Sequence, residues 1–269
     1  MKQRTCPPDP DVLKNTLESL YVKYNRRAYV TPDPLQFLYD YPKVQDREIV
    51  GLIAAGLAYG RVAQILKSVD SVLKKMEPSP CDFIIHGDAR DFTHAFEGFV
   101  HRFSKGSHMV ALLTGIKEVV SRFGSLSACF ARGMNPSDEN VLPGMHFLVA
   151  QLLGSGRDPG HLISLPWKKS ACKRLNLYLR WMVRTDDVDP GGWDRVSPAT
   201  LLMPLDTHIF RICAALGLTQ KKQANLAAAL EITRRFQDIS PHDPVKYDFV
   251  LSRFGIRPEL NMVDLINEF

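Results

Sequence analysis

Apolar residues recur every three or four positions along most of this chain, which is the period of an amphipathic α-helix. The clearest case is RVAQILKSVDSVLKKM at 61–76, where they form one continuous stripe. The preceding segment IVGLIAAGLAYG at 49–60 is apolar on all sides, as in a buried helix, and is too short to span a bilayer. Strand-like alternation is nearly absent. The sequence therefore predicts an all-α protein.

Glycine, proline and aspartate residues between the periodic segments indicate where the other helices begin and end. Gly60 separates the first two as a tight hairpin, and Asp243 with Pro244 is predicted to open a late helix. Gly217 and Gly255 stand where a left-handed C-terminal cap belongs. The segment 185–204, rich in Asp, Gly and Pro, is predicted to be a long connector. The remaining helices are predicted near 10–24, 108–122, 141–153, 170–184, 207–216, 222–237 and 244–254.

Charge and cysteine usage narrow the class of protein. The 269 residues carry 34 Lys and Arg against 29 Asp and Glu, a net charge of +5 that is compatible with a polyanionic partner. The same surplus also occurs in proteins that do not bind nucleic acid. The five cysteines are scattered without a Cys-x-x-Cys pair, so neither a disulfide framework nor a zinc or iron–sulfur site is indicated. With no apolar signal segment following the charged start, we expect a cytoplasmic protein with reduced thiols.

The segment SACKRLNLYLRWMVR at 170–184 combines an apolar side with a polar one. The polar side carries Lys173, Asn176, Arg180 and Arg184 at steps of three and four. Lys169 and Arg174 make the segment more basic still. One interpretation is a solvated cationic face. The other is a surface that faces phosphates and contains one reactive lysine.

The segment PLDTHIFRICAALGL at 204–218 places Asp206 at the head of a short amphipathic helix. An aspartate at this position is favoured because its carboxylate accepts the free N–H groups of the first helical turn. A capping carboxylate is also held rigidly, as an electrostatic catalyst needs to be. The segment by itself leaves both roles open for Asp206.

Together these segments resemble the helix-hairpin-helix DNA glycosylases, the superfamily of endonuclease III and 8-oxoguanine glycosylase. PLDTHIFRICAALGL is similar to their Asp-Thr-His turn, and in CKRLNLYLRW the residues Lys173, Asn176 and Leu179 match the helix bearing the nucleophile. IAAGLAYGR at 53–61 is a weaker match to the part that enters the DNA stack. The whole chain looks closest to a bacterial family of unassigned function within the superfamily. It departs from the usual pattern in HLISLPWKKSACK, which lacks the glycine-rich hairpin, and in the long connector between lysine and aspartate.

The resemblance implies a two-lobed fold with a cleft, in which residues 1–43 and 190–269 form a terminal lobe and residues 44–189 a central lobe. It implies a monomeric, nucleoid-associated enzyme that excises a damaged base, such as an oxidised purine, from double-stranded DNA and then cleaves the strand. Lys173 would be the nucleophile and Asp206 its electrostatic partner, without a metal or cofactor. The residues expected to contact DNA or the extruded base are Tyr59, Arg61, Lys169, Arg174, Asn176, Arg180, Arg184 and His208.

Three alternatives stay open. Lys169 could be the nucleophile, although four residues turn an ideal helix by about 40° beyond one full turn, and it lacks the Asn and Leu at the matching offsets. A protein that binds lesions without excising them would keep the basic face and have no need of both Lys173 and Asp206. A metal-dependent phosphohydrolase of the His-Asp type would use His242, Asp243 and Asp248, together with His208.

Overall fold

The computed structural model describes residues 7–257 and 259–269 and is almost entirely helical. The first half contains α1 (Pro10–Tyr24), α2 (Val44–Leu57), α3 (Val62–Leu73), α4 (Pro80–His86), α5 (Ala89–Ala95), α6 (Gly106–Phe123) and α7 (Leu126–Arg132). The second half contains α8 (Leu142–Leu152), α9 (Lys173–Val183), α10 (Thr207–Ala215), α11 (Leu226–Ile239), α12 (Asp248–Ile256) and α13 (Met262–Asn267). Strands β1 (Val100–His101) and β2 (Ser104–Lys105) form one small antiparallel hairpin. The predicted all-α fold is confirmed.

Short 3-10 helices link the longer elements, at Arg27–Tyr29, Pro34–Asp40, Lys74–Met76, Gly160–Leu162, Pro166–Lys168 and Pro198–Thr200. The predicted helix at 62–76 is therefore α3 followed by a 3-10 turn. Residues 1–6, which belong to the predicted terminal lobe and include Cys6, lie outside the described residues. The other four cysteines are free thiols.

Helix ends differ from their predictions where the chain turns before or after the apolar pattern. Helix α9 begins at Lys173 because Cys172 adopts a left-handed conformation, with φ of 45°, that interrupts the helix predicted from 170. Helix α12 begins at Asp248, so Asp243 and Pro244 do not open it. Gly217 does end α10 in the left-handed region, with φ of 72°, as predicted.

Helix α2 is the centre of the molecule and is buried along most of its length. It packs against α9, α3, α4 and the 3-10 helix Pro34–Asp40. Glycine allows the close contact with α9, since a Cβ at Gly51 would lie 3.2 Å from the ring of Tyr178. Around this pair, α6 packs against α4, α5, α7 and α8, while α12 packs against α1, α10 and α13. The α2–α9 contact thus places the first turn of α9 beside the end of α2.

Within 7–257 and 259–269, every helix is too short or too polar to cross a lipid bilayer.

Candidate active site

A cavity of about 550 Å³ opens where the end of α2 meets the starts of α9 and α10. We call it the active-site cavity. Five of the ten predicted site residues line it, namely Tyr59, Lys173, Arg174, Asp206 and His208. The structure therefore brings together residues that are separated by up to about 150 positions in the chain.

Asp206 uses its two carboxylate oxygens for different contacts. Oδ1 accepts a hydrogen bond from the backbone N–H of Ile209 at 2.8 Å, so Asp206 is the N-cap of α10 as predicted. Oδ2 lies 3.2 Å from Nζ of Lys173. The side chain of Asp206 is 14% exposed and that of Lys173 is 37% exposed. Capping fixes the carboxylate in place while one oxygen stays directed at the lysine.

Lys173 is the first residue of α9, and the turn before it is held by Asn176. The side-chain Nδ2 of Asn176 donates to the carbonyl of Ala171 at 2.9 Å, and its backbone N–H donates to the carbonyl of Cys172 at 3.0 Å. Asn176 is buried, so the expected contact with DNA is not available to it. Asn176 instead holds the turn at the start of α9 and so positions Lys173.

Tyr59 and Arg174 form one wall of the active-site cavity. The guanidinium of Arg174 lies 5.0 Å from the centre of the Tyr59 ring. Its Nη1 donates to the carbonyl of Gly56 at 2.6 Å and also to the carbonyl of His161. Arg174 is therefore tied to the backbone at the end of α2 while it lines the cavity beside the Tyr59 ring.

His208 also lines the cavity and is partly buried, and Nδ1 of its imidazole has no hydrogen-bond partner among the described residues. Its ring packs onto Gly255, where a Cβ would come within 2.3 Å of the ring. Gly255 lies inside α12, so the predicted role of this glycine as a C-terminal cap is wrong. The missing side chain makes room for the imidazole of His208.

Arg61 and Lys169 lie beside the active-site cavity without lining it. Both side chains are exposed. Lys169 adopts a left-handed conformation with φ of 55°, and its carbonyl accepts a hydrogen bond from Leu226 at 3.2 Å. Their exposed charges remain free to meet a polyanion.

Arg180 and Arg184 do not face solvent, which corrects their expected role as phosphate contacts. Both side chains are buried, at 2% and 4% exposure. They form a buried ion-pair cluster, the arginine network, with carboxylates of the connector and of the α11–α12 region. Its ion pairs are Arg180–Asp189 at 3.2 Å, Arg184–Asp186 at 2.8 Å, Arg184–Asp243 at 2.9 Å, and the shorter Arg180–Asp248 and Arg184–Asp189.

The connector at 185–204 explains why Arg180 and Arg184 are buried. Its aspartates fold back over the polar side of α9 and pair with the two arginines, so both sides of the second half of this helix are buried. Burial raises the pKa of the Asp248 carboxyl to about 6, with Arg180 opposing the shift and Asp206 adding to it. In the sequence, the acidic composition of the connector that follows α9 was the feature that indicated partners for the two arginines.

Two of the metal ligands expected for the phosphohydrolase alternative are paired with arginines of the same network. Asp243 is paired with Arg184 and Asp248 with Arg180, and His242 is exposed. Among the residues that the structure describes, no group of three or more His, Cys, Asp or Glu side chains is placed to hold a metal ion. The arrangement therefore does not favour a metal site here.

The small hairpin that supports Tyr59 was not predicted from the sequence. The Tyr59 hydroxyl lies 2.8 Å from the hydroxyl of Ser104 and donates to the carbonyl of His101 at 3.0 Å. Asp33 and Ser164 also line the cavity without having been singled out. Two-residue strands carry no measurable alternation, so the pattern had no signal for them.

The fold and this cavity define an all-α protein in which a lysine and an aspartate from two successive helices meet in a partly enclosed site. Residues 33–257 match the DUF2400 family, described as a protein of unknown function, and the chain belongs to that family. No curated protein and no solved structure matches the chain.

Proposed function

We propose that this protein is a bifunctional DNA glycosylase and AP lyase that excises a damaged base, with an oxidised purine as the leading substrate. The observation that carries the proposal is the 3.2 Å contact between Lys173 Nζ and Asp206 Oδ2 inside the active-site cavity. Double-stranded DNA is the proposed partner, bound by a monomer between two lobes and, in the cell, at the nucleoid. The extruded nucleotide would fill a space whose volume is in the range of small-ligand pockets.

The proposed reaction begins with Lys173 as a neutral amine. Its ammonium proton is released to solvent first, so that Asp206, whose Oδ2 lies 3.2 Å from Nζ, remains a carboxylate. The amine then attacks C1′ of the deoxyribose. The bond from C1′ to the base breaks, and its electron pair leaves with the base, which takes up a proton. The attacking nitrogen, positively charged after forming its bond to C1′, loses one of its protons. Positive charge develops on the sugar during this step, and the Asp206 carboxylate stabilises that charge electrostatically.

Opening of the sugar ring converts the amine adduct to an imine. The attacking nitrogen supplies the electron pair, and O4′ takes up a proton as its bond to C1′ breaks. The imine acidifies the C2′ hydrogen, so its loss expels the 3′ phosphate and cleaves the strand by β-elimination. Water then hydrolyses the imine and restores Lys173. No step uses an oxidant or reductant.

Borohydride trapping tests the proposal directly, since borohydride reduces the imine to a stable amine. Duplexes carrying 8-oxoguanine or an abasic site are incubated with the protein and borohydride, and we expect a covalent protein–DNA adduct with both. An adduct with abasic DNA alone would keep the lyase and change the choice of base. No adduct with either duplex, with DNA binding retained, would contradict the lyase and favour a protein that only binds lesions or excises by another route.

Replacing Asp206 with asparagine separates its capping role from its proposed electrostatic role. Asparagine caps helices as well as aspartate does, so the melting temperature should stay close to the wild-type value. Because asparagine removes the negative charge, we expect single-turnover base excision to slow by about 100-fold or more. Asp206→Ala, as the matched variant, should lose both rate and about 1 kcal/mol of stability. If Asp206→Asn excised the base at the wild-type rate, the electrostatic role of Asp206 would be contradicted.

A further inference from the structure

The hairpin of β1 and β2 turns through Arg102 and Phe103, which we call the hairpin tip. Arg102 holds a left-handed conformation with φ of 52°, a strained backbone for a residue with a side chain. Phe103 is 60% exposed, which is unusual for so large an apolar ring. The guanidinium of Arg102 lies 5.5 Å from the centre of that ring, and the ring of His161 lies 5.1 Å from it.

The hairpin is anchored rigidly to the active-site cavity. His101 is fully buried, with Nδ1 2.9 Å from the Ser68 hydroxyl and Nε2 3.1 Å from the carbonyl of Tyr59. The Tyr59 hydroxyl in turn bonds to both strands of the hairpin, at His101 and Ser104. The two residues that flank the hairpin tip, His101 and Ser104, are thereby bonded to a residue that lines the active-site cavity.

A second cavity of about 760 Å³ lies beside the hairpin tip and shares Ser164, Ser170 and Arg174 with the active-site cavity. We call it the basic groove. Its lining carries four permanent cations against the single carboxylate of Asp158. Within 7–257 and 259–269, none of these cations forms a salt bridge. The four are Arg102, Lys105, Lys168 and Arg174.

We propose that Phe103 stacks on the nucleobase next to the nucleotide drawn into the active-site cavity, while the basic groove holds the phosphates of the same strand. An exposed aromatic ring beside cations that form no salt bridge is the combination that binds unstacked nucleic acid. The inference rests on the proposed action on DNA. It moves the stacking role from Tyr59, whose hydroxyl is committed to the hairpin, to the hairpin tip that Tyr59 supports.

The test measures binding to a duplex that carries a tetrahydrofuran abasic analogue with 2-aminopurine as its neighbour. Phe103→Ala should weaken binding by about tenfold because a base loses its stacking surface. It should also lose the quenching of 2-aminopurine that stacking causes. Phe103→Tyr keeps an aromatic face and should retain both the affinity and the quenching. Val100→Ala is the matched control, since Val100 is 61% exposed on the same hairpin and lies away from its tip.

The outcomes separate this inference from the proposed function. Wild-type affinity and quenching in Phe103→Ala would overturn the stacking role and leave the glycosylase proposal intact. Equal losses in Phe103→Ala and Val100→Ala would also overturn it, because the effect would then belong to the hairpin as a whole. If the wild-type protein fails to bind the duplex at all, both proposals fall.

Discussion

Replacing Lys173 with glutamine is expected to abolish the borohydride-trapped adduct on both 8-oxoguanine and abasic duplexes. Glutamine has nearly the length of lysine and can still accompany Asp206, but its amide cannot form an imine. The Lys173 side chain is 37% exposed, so loss of its ion pair should change stability little. Trapping followed by denaturing electrophoresis measures the effect, and a thermal melt shows that the variant is folded.

Lys169→Gln is the matched control for this prediction. Lys169 is exposed, carries the same charge and stands four residues before Lys173, outside the wall of the active-site cavity. We expect Lys169→Gln to form the adduct at saturating DNA, to bind DNA more weakly than the wild type, and to show a shallower dependence of affinity on salt. If the adduct disappears in Lys169→Gln and persists in Lys173→Gln, the nucleophile is Lys169, and the role of the Lys173–Asp206 contact is then structural.

Replacing Arg180 with methionine is expected to lower the free energy of unfolding by about 3–5 kcal/mol at neutral pH. The substitution leaves the carboxyl of Asp248 buried without its partner, while Asp189 keeps Arg184. Burial already raises the pKa of Asp248 to about 6, so the folded protein holds this proton more tightly than the unfolded chain does. Removing the arginine charge raises the pKa further. The loss of stability in the variant is therefore largest at a pH above the raised pKa of Asp248. It shrinks as the pH falls through that pKa, because the buried carboxyl then becomes protonated.

Urea denaturation of the Arg180→Met variant at pH 7.5 and pH 5.5 measures the penalty and its pH dependence. The double variant Arg180→Met with Asp248→Leu removes the stranded carboxyl and should recover much of the loss. Lys74→Met breaks the exposed pair with Asp70 and should change stability little. Equal effects of Lys74→Met and Arg180→Met would contradict the burial of the arginine network.

Most of the longer helices were predictable because each is a local pattern of apolar residues, whereas the short helices α4, α5, α7 and α13 were not predicted. Helix α1 has the predicted ends, since Asp9 with Pro10 and the last apolar positions mark both of them. The start of α9 was not predictable in the same way. The left-handed conformation of Cys172 depends on the turn that Asn176 and Ser170 hold, and no propensity of cysteine indicates it.

For the candidate site, the sequence predicted the capping contact of Asp206 and placed Lys173 beside it through the family resemblance. The fate of Arg180 and Arg184 was not predictable from their helix, because periodicity shows a polar side but not what covers it. Asp248, which pairs with Arg180, lies 68 residues further along the chain. Such pairs appear only when the fold brings remote segments together.

The capping contact of Asp206 and its proposed electrostatic role predict different patterns of variation among related chains. Helix capping alone accepts serine, threonine, asparagine or aspartate with similar benefit. If capping were the sole requirement, relatives of this protein would drift freely among those four residues. A requirement for negative charge beside Lys173 would forbid the drift and hold every active relative to aspartate. A relative with asparagine here and lysine retained would mark a lineage that kept the helix after giving up the chemistry.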